Sequence, residues 1–287
     1  MFIRKCYRDL KRIVFDMKID KVRITGNPGI GKTFFGYYLL YLLALRNEGI
    51  IIYENYHLGA PIIFDGKEAY YSHDISSYLS DEQVWYIVDG QEPKDVDART
   101  ILICSLKTCH YTNFDKYDGE IVIRFMPIWS WDEIVDCRKF HYKDSVTVET
   151  AKKCFLRWGG IPRYVLQRAN RVDYQSKLDI AVSKCKIDIF DFVGESEGRD
   201  TLRRLDLSHK LVNTHTNLPI DYETRSKDLY NVDYYDLKYD QHMLDVFYPL
   251  KRDKYGREPY TMESLKFASV YVMENVTANL DKDCVMN

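Results

Sequence analysis

The chain has 287 residues, 46% of them hydrophobic and 29% charged, a balance that suits a globular protein and excludes long disorder. Its 41 Lys and Arg stand against 43 Asp and Glu, a net charge of −2, so no global field draws it to nucleic acid or to an anionic membrane. The seven cysteines are odd in number and scattered, with no C-x-x-C pair. They read as free thiols in a reducing compartment, not as a zinc site or a disulfide framework.

Residues 1–20 carry charges every few positions and no apolar run of signal-peptide length. The longest apolar stretch, Tyr37 to Leu45, falls far short of a membrane span, so the chain reads as soluble and intracellular, with no membrane partner. Lys21–Thr25 is expected to be a short strand. Glycines and a proline then turn the chain into a helix over Lys32–Arg46, apolar nearly all round and therefore expected to be buried. Gly49–Asn55 reads as a second strand, and the stretch from Ala60 to Asp74 as a hairpin turning at Asp65-Gly66. Gln83–Gly90, Arg99–Lys107 and Gly119–Pro127 complete five continuous apolar strands, the pattern of a mainly parallel sheet covered on both faces. The later spacers are too short for long helices, so those crossovers must be abbreviated.

After Pro127 the texture becomes helical. Ser130 with Glu133 forms a capping-box pattern, and a second helix over about 147–158 ends at Gly159-Gly160. Helix is expected onward to about Ser196, polar strands and loops over Leu207–Tyr248, and a closing helix over residues 261–280. The expected architecture is an α/β core over residues 1–127 and a mostly helical lid over 128–287.

Gly26-Asn27-Pro28-Gly29-Ile30-Gly31-Lys32-Thr33 satisfies G-x-x-x-x-G-K-[ST] in full, between a strand and a helix. Such a loop points backbone N–H groups and a helix N-terminus at phosphate oxygens. Lys32 would then bridge the β- and γ-phosphates and the Thr33 hydroxyl would ligate Mg²⁺, with Phe34 following at the mouth. Asp89 closes the apolar strand before Gly90 and is the expected second metal ligand, because strand ends on that edge of a parallel sheet line the ligand crevice. Ser105 closes the next strand as a sensor. This order is similar to that of AAA-like and STAND-like ATPases, in which a sensor strand lies between the loop strand and the aspartate strand. Those enzymes often follow the aspartate with a glutamate that polarises water; here Gly90 stands in that place, and Glu92 beside Pro93 is the nearest substitute. No N-K-x-D motif is present, which favours ATP over GTP.

Taken together, the loop and helix from Gly26, Trp85–Gly90, Ile101–Lys107, the segment around Met126-Pro127, Trp129 and Asp132-Glu133-Ile134, the Gly159-Gly160-Ile161-Pro162-Arg163 block and Asp206–Asn213 resemble the P-loop NTPase module of Crinkler effectors and retrotransposon hot spot proteins. The blocks run in family order from about residue 20 to 275. From the residues alone, Arg163 either begins a solvated helix or swings in to neutralise developing charge. The resemblance implies the second, a sensor arginine facing the γ-phosphate. It also implies ATP hydrolysis that drives or resets a conformational change, and a secreted effector that acts in a host cell or nucleus on a nucleic-acid or host-protein partner. A ubiquitin-like header and a nuclease- or kinase-like domain are not seen, so the chain is expected to be a lone module or a fragment. Two alternatives stay open: a nucleotide-gated switch with little hydrolysis, and a small-molecule kinase.

Arg203–Lys210 and the stretch from Tyr248 to Tyr260, which mixes basic residues with tyrosines, are the sequence's two candidates for contact with nucleic acid. His215 and His242 have no partners at metal-ligand spacing.

Overall fold

A computed structural model describes residues 1–106, 108–186, 189, 193, 210–222 and 250–285. The five apolar runs form β1 (Lys21–Thr25), β2 (Ile51–Asn55), β5 (Trp85–Asp89), β6 (Arg99–Ile103) and β7 (Ile121–Phe125), all parallel to their neighbours among these five. The expected hairpin is β3 (Ile62–Phe64) and β4 (Ala69–Tyr71), which adds antiparallel strands to the β2 edge and brings the sheet to seven in the order β4-β3-β2-β5-β6-β1-β7. The β6 strand therefore lies between the glycine-loop strand and the Asp89 strand.

Alternate residues of these strands enter two separate buried clusters. Ile51, Tyr53, Trp85, Ile87, Ile101 and Ile103 face α2 (Lys32–Arg46), and Ile52, Tyr86, Val88, Leu102 and Cys104 face the opposite side. Among the described residues, the short α3 (Ser76–Leu79) and loops with 3₁₀ turns such as Phe114–Lys116 cover that opposite side, which is how the abbreviated crossovers are accommodated.

The α2 helix corrects one expectation. It is not buried all round: Phe35, Tyr38, Leu39, Leu42 and Leu43 are buried, whereas Phe34, Tyr37, Tyr41 and Leu45 form an exposed stripe. A helix apolar on every side has no polar stripe to show which face packs.

An N-terminal helix, α1 (Lys5–Val14), packs against α2 and has no counterpart in the sequence reading. Beyond the sheet come α4 (Trp131–Cys137), continued by a π turn at Arg138–Tyr142, then α5 (Val148–Trp158), a second π turn at Arg163–Gln167, and α6 (Val172–Ser183). The capping box forms: Ser130 Oγ accepts from Glu133 N and Glu133 Oε2 accepts from Ser130 N. Residues 262–267 are not helix but strand β9 (Met262–Phe267), antiparallel to β8 (Val212–Thr216). Only Val270–Val285, α7, is helical there. Pairing with β8 overrides the local helix pattern, and Ser269 Oγ accepts from Val272 N at the true helix start.

One buried cluster runs from Cys6 through Trp129 and Trp158 to Val276, crossing residue 127. No disulfide links the described cysteines, and Cys6, Cys104, Cys137 and Cys154 are buried. No described helix is long and apolar enough to cross a membrane. Arg203–His209 and His242 lie outside the described residues.

Candidate functional site

The glycine loop, the ends of β2, β5 and β6 and the Arg163 turn converge at the carboxyl edge of the sheet, around a cavity of about 810 Å³. The sequence reading placed most of its residues here: Pro28, Gly29, Gly31, Lys32, Thr33, Phe34, Asp89, Ser105 and Arg163 all line the cavity.

Close neighbours dictate the loop's shape. Gly31 has φ +101°, and a Cβ there would lie 2.6 Å from the Tyr7 hydroxyl, which donates to Gly31 O at 2.6 Å. A Cβ on Gly29, at φ +86°, would lie 2.9 Å from Arg163 Cβ, and Arg163 N donates to Gly29 O at 3.4 Å. Glycine at both positions meets the backbone and the steric requirement together. Ile30 is fully buried and its carbonyl accepts from Trp129 Nε1 at 2.7 Å.

Asn27 is directed away from the cavity. Its amide donates to Asn213 Oδ1 at 2.9 Å and Val212 O at 3.2 Å, and its Oδ1 accepts from Thr214 N at 2.8 Å. The second residue of the loop is thus fastened to β8 by both ends of one side chain.

Lys32 Nζ donates to Gly26 O and Asn27 O, each at 2.7 Å. Burial pushes its pKa from 10.5 down to about 8, against the opposing pull of Asp89. A cation held by carbonyl dipoles in a dry pocket is primed to meet an anion. Asp89 shows the complementary condition. Burial raises its carboxyl above the ordinary range, while Thr33, Lys32, Tyr53 and Asn55 oppose that rise. Its Oδ2 accepts from Asn55 Nδ2 at 2.9 Å, and its carboxylate also takes a hydrogen bond from the Thr33 hydroxyl. A hydroxyl and a carboxylate that meet in this way fit Mg²⁺, which takes one or two protein oxygens and fills its octahedron with phosphate and water.

Glu92 is not brought to the cavity. Gly90 turns the chain with φ +78°, and Glu92 beyond it stands exposed, its charge bearing on Tyr117.

Asn55 was missed, although its signal was present. It ends β2 in register with Asp89, on the same sheet edge that singled out Asp89 and Ser105. Phe2, Tyr7, Tyr142, Leu166 and Gln167 also line the cavity. They had no local signal, since they come from three distant segments. Phe2 stacks on Trp129 with ring centroids 5.4 Å apart, and both rings line the cavity.

No family model matches the sequence. Crinkler effector proteins 15 and 16 of Phytophthora infestans are 26% and 25% identical to it over 203 residues, which is 66% of this chain and 32% of each relative. Two variants of RuvB from Thermotoga maritima are similar in structure. One has a TM-score of 0.35 at 15% identity, covering 87% of this chain and 79% of that one; the other has 0.32 at 12%, covering 85% and 76%. The chain spans about a third of the length of the curated relatives it matches. It is an α/β protein with a mostly parallel sheet, similar in sequence to Crinkler effectors over two-thirds of its length.

Proposed function

We propose that this chain binds a Mg²⁺–nucleoside triphosphate, ATP by preference, and hydrolyses it slowly to drive or reset a conformational change. The observation that carries the reading is the meeting of Lys32 and Thr33 with Asp89, and of Arg163 with Gly29, in the lining of one cavity. In this reading Gly26–Phe34 wraps the phosphates. Lys32 leaves its two loop carbonyls for the β- and γ-phosphates, and Arg163 and Ser105 face the γ-phosphate. Thr33 and Asp89 would hold Mg²⁺, which neutralises phosphate charge when bound. The base lies between Phe2, Trp129, Tyr142 and Leu166. Water attacks the γ-phosphorus, the bond to the β–γ bridging oxygen breaks, and ADP and phosphate leave. Without a carboxylate at Gly90 the attacking water is poorly polarised, which is why turnover is expected to be slow.

A nucleotide-gated switch with little hydrolysis is the second reading, favoured by Gly90 and by the position of Glu92 outside the cavity. The likeness to Crinkler effectors extends the proposal to a nucleotide-driven module of an effector.

Trp129 reports on the test, because its indole is bonded to the loop. Titration with Mg–ATP is expected to change its fluorescence saturably, more tightly than GTP does. Phosphate release is expected to fall about 100-fold or more in Asp89→Ala. Arg163→Ala should lower kcat about 100- to 1,000-fold with KM little changed, since its charge acts on the transition state. Saturable ATP binding without phosphate release selects the switch. No binding of any nucleoside triphosphate sinks both.

A further inference from the structure

Charge is segregated along this chain in a way its total hides. Residues 138–186 hold twelve Lys and Arg against four Asp and Glu, a net of +8, in a chain whose total is −2, so the remaining residues carry −10. The +8 segment builds the first π turn, α5, the second π turn and α6. Two of its four acids are already engaged on this face: Asp179 with Arg157 at 2.6 Å and Asp173 with Arg171 at 3.0 Å.

The cations gather at the entry to α6. Arg168 lies 3.6 Å over the ring of Tyr174, Lys177 lies 4.1 Å from it and Arg171 5.4 Å. Arg171 is paired with Asp173, but Arg168 and Lys177 share one ring within a Debye length of each other, and a row of phosphates relieves that repulsion. Further along α6, Lys177, Ile180 and Lys184 share a stripe at helical spacing, and all three are exposed. Lys177 and Lys184 are about 10 Å apart along the axis, the reach of about three phosphates of one DNA strand.

Arg203–His209 lies outside the described residues. In the 250–260 loop three of the four cations face acids: Arg252 with Glu258 at 2.6 Å, Arg257 with Asp253 at 2.7 Å and Lys251 with Asp221 at 4.0 Å.

We infer that the face formed by Arg168, Arg171, Lys177 and Lys184 around Tyr174 binds nucleic acid through its phosphate backbone, with no base-sequence preference. The Arg168 guanidinium, 3.6 Å from the Tyr174 ring centroid, has donors of the fork geometry that suits phosphate, and the exposed Ile180 offers an apolar surface to sugars and bases. A membrane surface fits less well. An interfacial helix inserts bulky Trp, Phe or Leu side chains, whereas the exposed apolar residues of α6 are Val172 and Ile180.

The experiment is fluorescence anisotropy of the whole chain with a labelled single-stranded DNA, the matching RNA and the DNA duplex, each across a range of salt concentrations. Binding is expected to weaken linearly in log–log form. The triple variant Arg168→Ala, Arg171→Ala, Lys177→Ala should flatten that slope by about 2 to 3 and weaken binding at least about tenfold. Lys177→Glu with Lys184→Glu, both exposed, gives the same direction should the triple variant fold poorly. Arg252→Ala should leave binding unchanged, and none of these variants should alter the ATP titration, so a failure of nucleotide binding is seen separately. Unchanged affinity and slope in the folded variants would overturn the inference. So would binding to phosphatidylserine vesicles with none to any of the three nucleic acids.

Discussion

Lys32→Met is expected to weaken nucleotide binding strongly and, in the same protein without nucleotide, to raise stability. The two effects have opposite signs for one reason. Burial costs the ammonium most of its hydration, so its pKa falls from 10.5 to about 8 while it rests on Gly26 O and Asn27 O. A folded-state pKa below the unfolded one means that the folded chain holds fewer protons between those values. The destabilisation is therefore complete below pH about 8 and is relieved as pH rises toward 10.5. Methionine fills the same volume without a charge, so Lys32→Met should be more stable at pH 7 by a few kcal/mol at most, since a tenfold change in proton affinity is worth about 1.4 kcal/mol. It should also lose the alkaline rise in stability. A triphosphate supplies the missing anion, and removing one partner of a buried, hydrogen-bonded charge pair costs about 2–5 kcal/mol of affinity, or roughly 30- to 5,000-fold. Thermal melts with and without Mg–ATP read both effects. Wild-type affinity in Lys32→Met would sink the proposed role of the loop. A lower melting temperature at pH 7 would mean that the two carbonyl contacts outweigh the burial of charge.

The loop was legible because its requirements are local: eight consecutive residues, glycines where φ is positive, a strand before and a helix after. The sheet core was legible too, since β5 and β6 are buried at every position and read as unbroken apolar runs. What the sequence hid depends on pairing at a distance. Met262–Phe267 has a helix-compatible composition and becomes a strand only because β8, some fifty residues earlier, lies beside it. The exposed stripe on α2 was invisible because tyrosine and phenylalanine on the outer face look the same as those on the inner one. Asn27 reads as one more loop residue, and only the fold shows it fastened to Asn213 and Thr214. The basic face at α6 was missed for a different reason. Arg168, Arg171, Lys177 and Lys184 follow one another at three, six and seven residues, so no short window there looks basic, and a whole-chain charge of −2 conceals a regional +8.

The second large effect concerns Arg4, which the sequence placed in an unremarked N-terminal run. Its side chain is fully buried, with Nε and a terminal nitrogen each 2.9 Å from a Glu133 oxygen. The remaining donors reach Pro127 O at 2.9 Å and Ile128 O at 3.2 Å, and its guanidinium lies 4.9 Å from the Trp129 ring. Glu133 is at the same time the capping-box carboxylate of α4. One ion pair therefore joins α1 to the turn that carries Trp129, and Trp129 in turn holds the glycine loop through Ile30 O. Arg4→Met should leave Glu133 buried without its cation, at a cost of about 3–5 kcal/mol. For a chain of this size that is a fall on the order of 10 °C in melting temperature. Adding Glu133→Gln should recover part of the loss, because it removes the orphaned charge while keeping an amide oxygen for the cap. A purely additive double variant would mean that the pair is not coupled. ATP affinity should fall in Arg4→Met even well below its melting temperature. With the turn at 127–130 loosened, the indole no longer holds Ile30, and the loop must be ordered by the nucleotide itself.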